Sequence, residues 1–160
     1  KKGKEATMKT LVAILGVFFT ISATAQDLKE IDGIYYSGSE RYSGDYITYF
    51  DNGNVKMEAH FTDGLKDGEN LLYFENGQLN EVRSYKDNQM DGIWVTYNIE
   101  GTKVAQASYT EGVKDGNWYV WNDEGKLLYE MIYDEGEKSG VSKKYDEIGL
   151  GVTERNYSEF

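Results

Sequence analysis

"GIWVTYNIEG" (residues 92–101) and "GNWYVWNDEG" (residues 116–125) carry glycine, tryptophan, an aromatic and a second glycine at matching places, 24 residues apart. The same spacing extends in both directions. Gly44, Gly68, Gly92, Gly116 and Gly140 open five copies, and Gly53, Gly77, Gly101, Gly125 and Gly149 follow nine residues later in each. Aromatics recur five residues after the first glycine (Tyr49, Tyr73, Tyr97, Trp121, Tyr145) and seventeen after it (Phe61, Tyr85, Tyr109, Tyr133, Tyr157). Four aligned columns in five copies define a tandem repeat, and a repeat decides the architecture before any local reading.

Each copy reads as strand, tight turn, strand, longer turn. The first turn is "DNG" (51–53), "ENG" (75–77), "IEG" (99–101), "DEG" (123–125) and "EIG" (147–149). Its terminal glycine supplies the positive φ a hairpin loop demands. The second turn is "DGLKDG" (63–68), "DNQMDG" (87–92), "EGVKDG" (111–116) and "EGEKSG" (135–140). Within it, Gly64, Asn88, Gly112 and Gly136 share a column. Asn is the non-glycine residue that best tolerates a left-handed backbone, so the column is predicted to need positive φ. Alternating turns predict an all-β fold: tandem β-hairpin repeats of 24-residue period forming an elongated, twisted antiparallel meander sheet of about ten strands. The units are 44–67, 68–91, 92–115, 116–139 and 140–160, with 26–43 as an N-terminal partial repeat or cap.

Strand periodicity suggests which residues share a face. The expectation groups Ile47/Tyr49, Leu71/Tyr73, Val95/Tyr97 and Tyr119/Trp121 with Met57/Ala59/Phe61, Ala105/Ala107/Tyr109 and Tyr129/Met131/Tyr133. That makes one face apolar and aromatic and the other wet. Glu81 and Arg83 in the second copy, and Lys143, Thr153 and Arg155 in the fifth, break the apolar side. A worn last copy suits a terminal cap.

Composition fits a β repeat: 18 Gly and 14 Tyr, with no Pro and no Cys. Without Cys there is no disulfide framework and no thiolate metal site. "MKTLVAILGVFFTISATAQ" (8–26) has the basic, apolar and small-residue layout of a secretory signal peptide over Met8–Ala25, too short in its apolar run to span a bilayer. "KKGKEAT" before it reads as upstream translated sequence or an expression remnant. No Cys follows the cleavage site, so the expectation is a periplasmic or secreted protein without a lipid anchor. Setting residues 1–25 aside removes four lysines and Glu5, and the formal net charge of −11 becomes −14. Such acidity disfavours nucleic acid and anionic membranes as partners.

The hairpin unit G-x-W-x-x-Y-x-x-x-G resembles the MORN repeat family. It is more similar still to the variant form in bacterial proteins, often labelled YwqK-family antitoxin. Trp94 and Trp118 stand at the Trp position, where the other copies have Tyr46, Asn70 and Ser142. The resemblance covers residues 33–160. It implies an interaction or scaffolding surface, and the antitoxin label implies binding and neutralising a partner protein. After export, that role takes a periplasmic, immunity-like form.

The candidate sites divide by chemistry. His60, the single histidine, falls in a solvent-facing column with Ser84, Ser108, Ile132 and Asn156, and a general base needs an orienting partner and a pocket. The acidic turns place lysines (Lys66, Lys114, Lys138) where calcium would need more oxygens, so turn formation is the simpler use of the acids. No nucleophile falls beside a base, so no catalytic residue, cofactor or metal is expected. The aromatic columns remain: Tyr49, Tyr73, Trp94, Tyr97, Tyr109, Trp118, Trp121 and Tyr133 form either a ladder that stabilises the sheet or a surface for a partner protein. The alternative is a glycan or cell-wall ligand stacked on the same rings.

Overall fold

The computed structural model describes residues 27–146 and 151–158. The expected signal peptide and Gly149 lie outside the described residues. Sixteen strands are described. A small sheet holds β1 (Lys29–Ile31), β2 (Ile34–Ser37) and β3 (Glu40–Arg41). The first two units supply β4 (Gly44–Tyr49), β5 (Val55–Thr62), β6 (Leu65–Lys66), β7 (Gly68–Tyr73), β8 (Leu79–Lys86) and β9 (Gln89–Met90). The next two supply β10 (Gly92–Tyr97), β11 (Lys103–Thr110), β12 (Val113–Lys114), β13 (Gly116–Trp121) and β14 (Leu127–Asp134). The last are β15 (Glu137–Tyr145) and β16 (Val152–Asn156). Ten of these run side by side in chain order from β4 to β16, all antiparallel, so the expected hairpin meander is the observed fold.

The first turn is a type I turn closed by a left-handed glycine. Gly53 donates its N–H to the Phe50 oxygen at 2.9 Å, and Phe50 donates to the Asn54 oxygen at 2.8 Å. Gly53 has φ +87°, and Gly101 at the same place in the third unit has +84°. This three-residue loop leaves one extra residue in the second strand, a bulge at the foot of each hairpin.

The bulge corrects the expected faces. Tyr49 opposes Val55, but one step further Thr48 opposes Met57, Tyr46 opposes Ala59 and Ile47 opposes Glu58. A one-residue bulge exchanges the faces of everything beyond it. Met57, Ala59 and Phe61 therefore share a face with Tyr46 and Thr48. Ile47, Tyr49, Leu71, Tyr73, Val95, Tyr97, Tyr119 and Trp121 lie on the opposite one. Lys143 also moves across: it opposes Glu130 and Glu154, whereas Arg155 opposes Ser142 and Thr153 opposes Lys144. Glu81 and Arg83 do lie on the first face, opposite Leu72 and Asn70.

The second turn is tighter than its six-residue spacing suggests. Asp63 and Gly64 both have positive φ, +49° and +80°, and Asp87–Asn88, Glu111–Gly112 and Glu135–Gly136 repeat the pattern. Two successive left-handed residues make the type I′ turn that matches strand twist. The glycine–asparagine column thus has the expected positive φ, and its acidic neighbour shares it. Each such turn carries a pair of two-residue arms, as in β6 against Phe61 and Thr62. The chain then steps sideways through Asp67–Gly68, where Asp67 donates its N–H to the His60 oxygen at 3.1 Å. The turns also bond along the repeat: the amides of Asn88, Gly112 and Gly136 reach the oxygens of Lys66, Met90 and Lys114 at 2.8–2.9 Å.

The deepest packing lies at the N-terminal end. Phe61 is buried with Tyr42 and Ala59, and Leu28, Tyr35, Tyr46 and Met57 pack around them. The small sheet closes over this cluster. Tyr35 packs its ring 4.6 Å from that of Phe61 and donates its N–H to the Gly64 oxygen at 2.8 Å. A side chain at Gly64 would meet Ile34 Cγ2 at 2.6 Å, so that glycine is required by close approach as well as by φ.

Candidate functional site

The two faces of the sheet have different chemistry. One carries a ladder of rings: Tyr85, Trp94, Tyr109, Trp118 and Tyr133 follow one another with centroids 5.1–5.5 Å apart, all tilted or edge-on. Such angles suit the ring quadrupole and stabilise a pair beyond its buried area. The indole N–H groups are also satisfied: Trp94 donates to the Ser84 oxygen at 2.9 Å and Trp118 to the Ser108 oxygen at 3.0 Å. In the second unit the tryptophan place is taken by Asn70, which is buried and accepts the His60 N–H at 3.4 Å. The ladder is broken there.

Cations cover this ladder. Lys66 Nζ lies 5.5 Å from the Tyr35 ring centre and 5.3 Å from that of Tyr85. Lys114 Nζ lies 4.6 Å from Trp118 and 5.0 Å from Tyr133. Arg83 sits 5.4 Å from Trp94 while pairing with Glu81 at 2.6 Å. Burial is the largest single influence on Arg83 and opposes its charge, but the hydrogen bond to Glu81, the charge of Glu81 and the Tyr85 hydroxyl together outweigh it and hold the guanidinium above its usual range. The turn lysines thus find a use that spacing alone did not reveal: their type I′ arms fold them over the rings of the ladder.

The other face is open. Ile47 is 40 % exposed, Tyr49 47 % and Ile93 44 %, and Ile132, Val141 and Val152 also stand out on this side. Surface apolar residues scattered singly are ordinary, whereas a contiguous strip marks an interaction site. The eight candidate aromatics therefore split. Trp94, Tyr109, Trp118 and Tyr133 belong to the ladder, and Tyr49, Tyr73, Tyr97 and Trp121 to the open face. Tyr73 donates its hydroxyl to Glu58 at 3.1 Å, and burial followed by that bond raises its pKa. Tyr119 and Trp121 stack at 5.5 Å with 30° between planes, and Lys103 Nζ lies 4.4 Å from the Trp121 ring centre.

His60 has a partner that sequence did not reveal. Its Nδ1 lies 2.7 Å from Asp45 Oδ1, across the first hairpin on the open face. Both side chains are exposed, and they border a shallow concavity of about 290 Å³ with Ile47, Glu58, Glu69 and Leu71. The hairpin register that puts position 45 opposite position 60 is the signal that would have found the pair. The turn acids make local bonds instead of converging: Asp91 accepts the Glu111 N–H at 3.1 Å and Asp63 pairs with Arg41 at 2.7 Å. Among the described residues no three His, Cys, Asp or Glu side chains group as metal ligands.

Three segments match the family described as MORN repeat variant: residues 42–63, 66–87 and 114–135. They fall on the first, second and fourth units. The third unit, 92–115, repeats their register and turn bonds. MORN repeats generally mediate protein or membrane interactions. No curated protein matches the chain.

Proposed function

We propose that the chain is an exported, non-catalytic protein-interaction module, antitoxin- or immunity-like in the sense that it binds and holds a partner protein. The supporting observation is the sorting of apolar surface. The rings of one face pack on each other and under cations, while Ile47, Tyr49, Ile93, Ile132 and Val141 stand exposed on the other, with Leu71 and Val82 half-buried on strands between Ile47 and Ile93 and Val95 half-buried on the strand of Ile93. The open face is therefore the contact surface. The expected signal at Met8–Ala25 supports export, and the MORN repeat matches support interaction as the task. Chemical cross-linking in an envelope extract tests this reading: the expected result is one stoichiometric protein linked to open-face positions. Recovery of polysaccharide without protein would sink it.

The second reading is a glycan module. The stacked Tyr119–Trp121 pair on the open face, with Gln106 beside Tyr119 in the adjacent strand, resembles a platform for a sugar ring. Titration with cell-wall oligosaccharides tests it through the fluorescence of Trp121, and an unchanged spectrum counts against it.

A further inference from the structure

The open face also carries a charge pattern, and that pattern names the partner's chemistry. This inference rests on the open face being the contact surface. Across the strands a ridge runs through Ile47, Glu58, Leu71, Val82 and Val95, each opposite the next. At about 4.8 Å per strand it is roughly 19 Å long, the length of about three and a half helical turns. Both ends of the strands are acidic. The first turns bring Asp51, Glu75 and Glu100, and the second turns bring Asp87 and Glu111, with Asp63 already paired to Arg41. Between these rims the ridge itself includes Glu58, with Asp45 and Glu69 beside it.

Five of the chain's cations are drawn away from this face. Lys66, Arg83, Lys114, Lys138 and Arg155 all lie over rings of the ladder face or its end. On the open face Lys86 stands exposed at the second-turn end of β8, next to Asp87 in the chain, Lys103 is engaged by Gln106 and Trp121, and Lys143 lies 3.7 Å from Glu130. Between residues 27 and 158 acidic side chains outnumber basic ones, and the five cations drawn to the ladder leave most of that excess on this face and its rims. An apolar strip between two acidic rims complements an apolar stripe flanked by cations.

We infer that the open face docks a cationic amphipathic helix of a partner protein, laid across the strands along the Ile47–Val95 ridge. Its apolar side meets Ile47, Leu71, Val82, Val95 and the neighbouring Ile93, and its lysines or arginines reach the turn acids. An anionic lipid surface would meet the same rims with like charge, so a protein segment is the occupant this charge favours.

The test titrates the full chain with two synthetic helices of about four turns, one of Leu and Lys and one of Leu and Glu, followed by fluorescence anisotropy. The expected result is binding of the Leu/Lys helix only, weakening as salt rises. Ile47→Lys combined with Ile93→Lys should weaken it by about tenfold or more, while Lys114→Gln on the ladder face leaves it unchanged. Both substituted positions are exposed, and an unchanged thermal melt of each variant checks that the fold persists. Equal binding of both helices, no binding of either, or binding that survives the double substitution overturns the inference. So does binding to phosphatidylglycerol vesicles that the double substitution abolishes, which would make the face a membrane surface. Should cross-linking capture a protein partner on the ladder face, this inference fails along with the choice of the open face as contact surface, and only the protein-interaction role stands.

Discussion

The indole of Trp94 and the backbone oxygen of Ser84 are joined at 2.9 Å, and the same oxygen accepts the Asp91 N–H at 3.0 Å. One carbonyl thus fixes both the sideways step of the chain and the ring that follows it. The Ser84 hydroxyl closes the arrangement by donating to the Ile93 oxygen at 3.0 Å. Ser108, Asp115 and Trp118 repeat the set one unit later. Trp94→Phe keeps much of the ring packing against Tyr85 and Tyr109 and loses the indole bond, at a cost of about 1 kcal/mol. Trp94→Ala loses both, at about 2–3 kcal/mol, below the cost for a fully buried tryptophan because the ring is half-buried. Urea denaturation measures both. Equal losses would show that the ring contacts contribute nothing.

The repeat, the ten-strand meander and the positive-φ columns were legible because they depend on glycine placement, which leaves a direct mark in sequence. The faces were not. A single unpaired residue at Lys56, Asn80, Val104 and Leu128 decides them, and nothing in those side chains announces a bulge. The same bulge hides the open face, since strand periodicity without it groups Ile47 and Tyr49 with Phe61. His60–Asp45 was hidden for a related reason: a cross-strand pair is visible only once register is known.

Gly101 isolates the backbone requirement of the first turn. Its φ is +84°, and a Cβ built there meets nothing within 4 Å. Any cost of substitution is therefore conformational. Gly101→Val should destabilise by more than about 1 kcal/mol, because a branched residue resists the left-handed region. Gly101→Asn should cost clearly less, since Asn visits that region. Thermal melts of the two variants give the comparison, and identical midpoints would remove φ as the cause.

Tyr35 supplies a pH dependence. Burial, then its hydrogen bond to Glu30, pushes its pKa from 10.0 up to about 12. The folded state thus favours the neutral phenol. Its contribution to stability is complete below the unfolded value and is lost as pH rises from 10 towards about 12. Burial raises Tyr42, Tyr73 and Tyr109 as well, so the melting temperature should fall through this alkaline window. Tyr35→Phe keeps the ring against Phe61 and should make that fall shallower. An unchanged slope in melting temperature against pH would show that Tyr35 titrates as freely in the folded chain as in the unfolded one.

Asn88 separates backbone from side chain in the second turn. Its φ of +68° is the reason for its type, as the column suggests. Its side chain does more: Nδ2 donates to the Gly33 oxygen at 2.6 Å, and Oδ1 accepts the Lys66 N–H at 2.7 Å. It therefore ties the small N-terminal sheet to the first two units through its side chain, whereas Gly64 in the same column reaches that sheet through its backbone oxygen. Asn88→Gly relieves the backbone and loses both bonds, for a net cost of about 1–2 kcal/mol. Asn88→Ala adds left-handed strain and should cost about 1 kcal/mol more. Hydrogen exchange distinguishes a local from a global effect: with either variant the amides of Lys66 and Tyr35 should exchange faster, while those of β13 and β14 keep their protection. Uniform loss of protection along the whole repeat would instead mean that the small sheet and the fourth unit unfold as one.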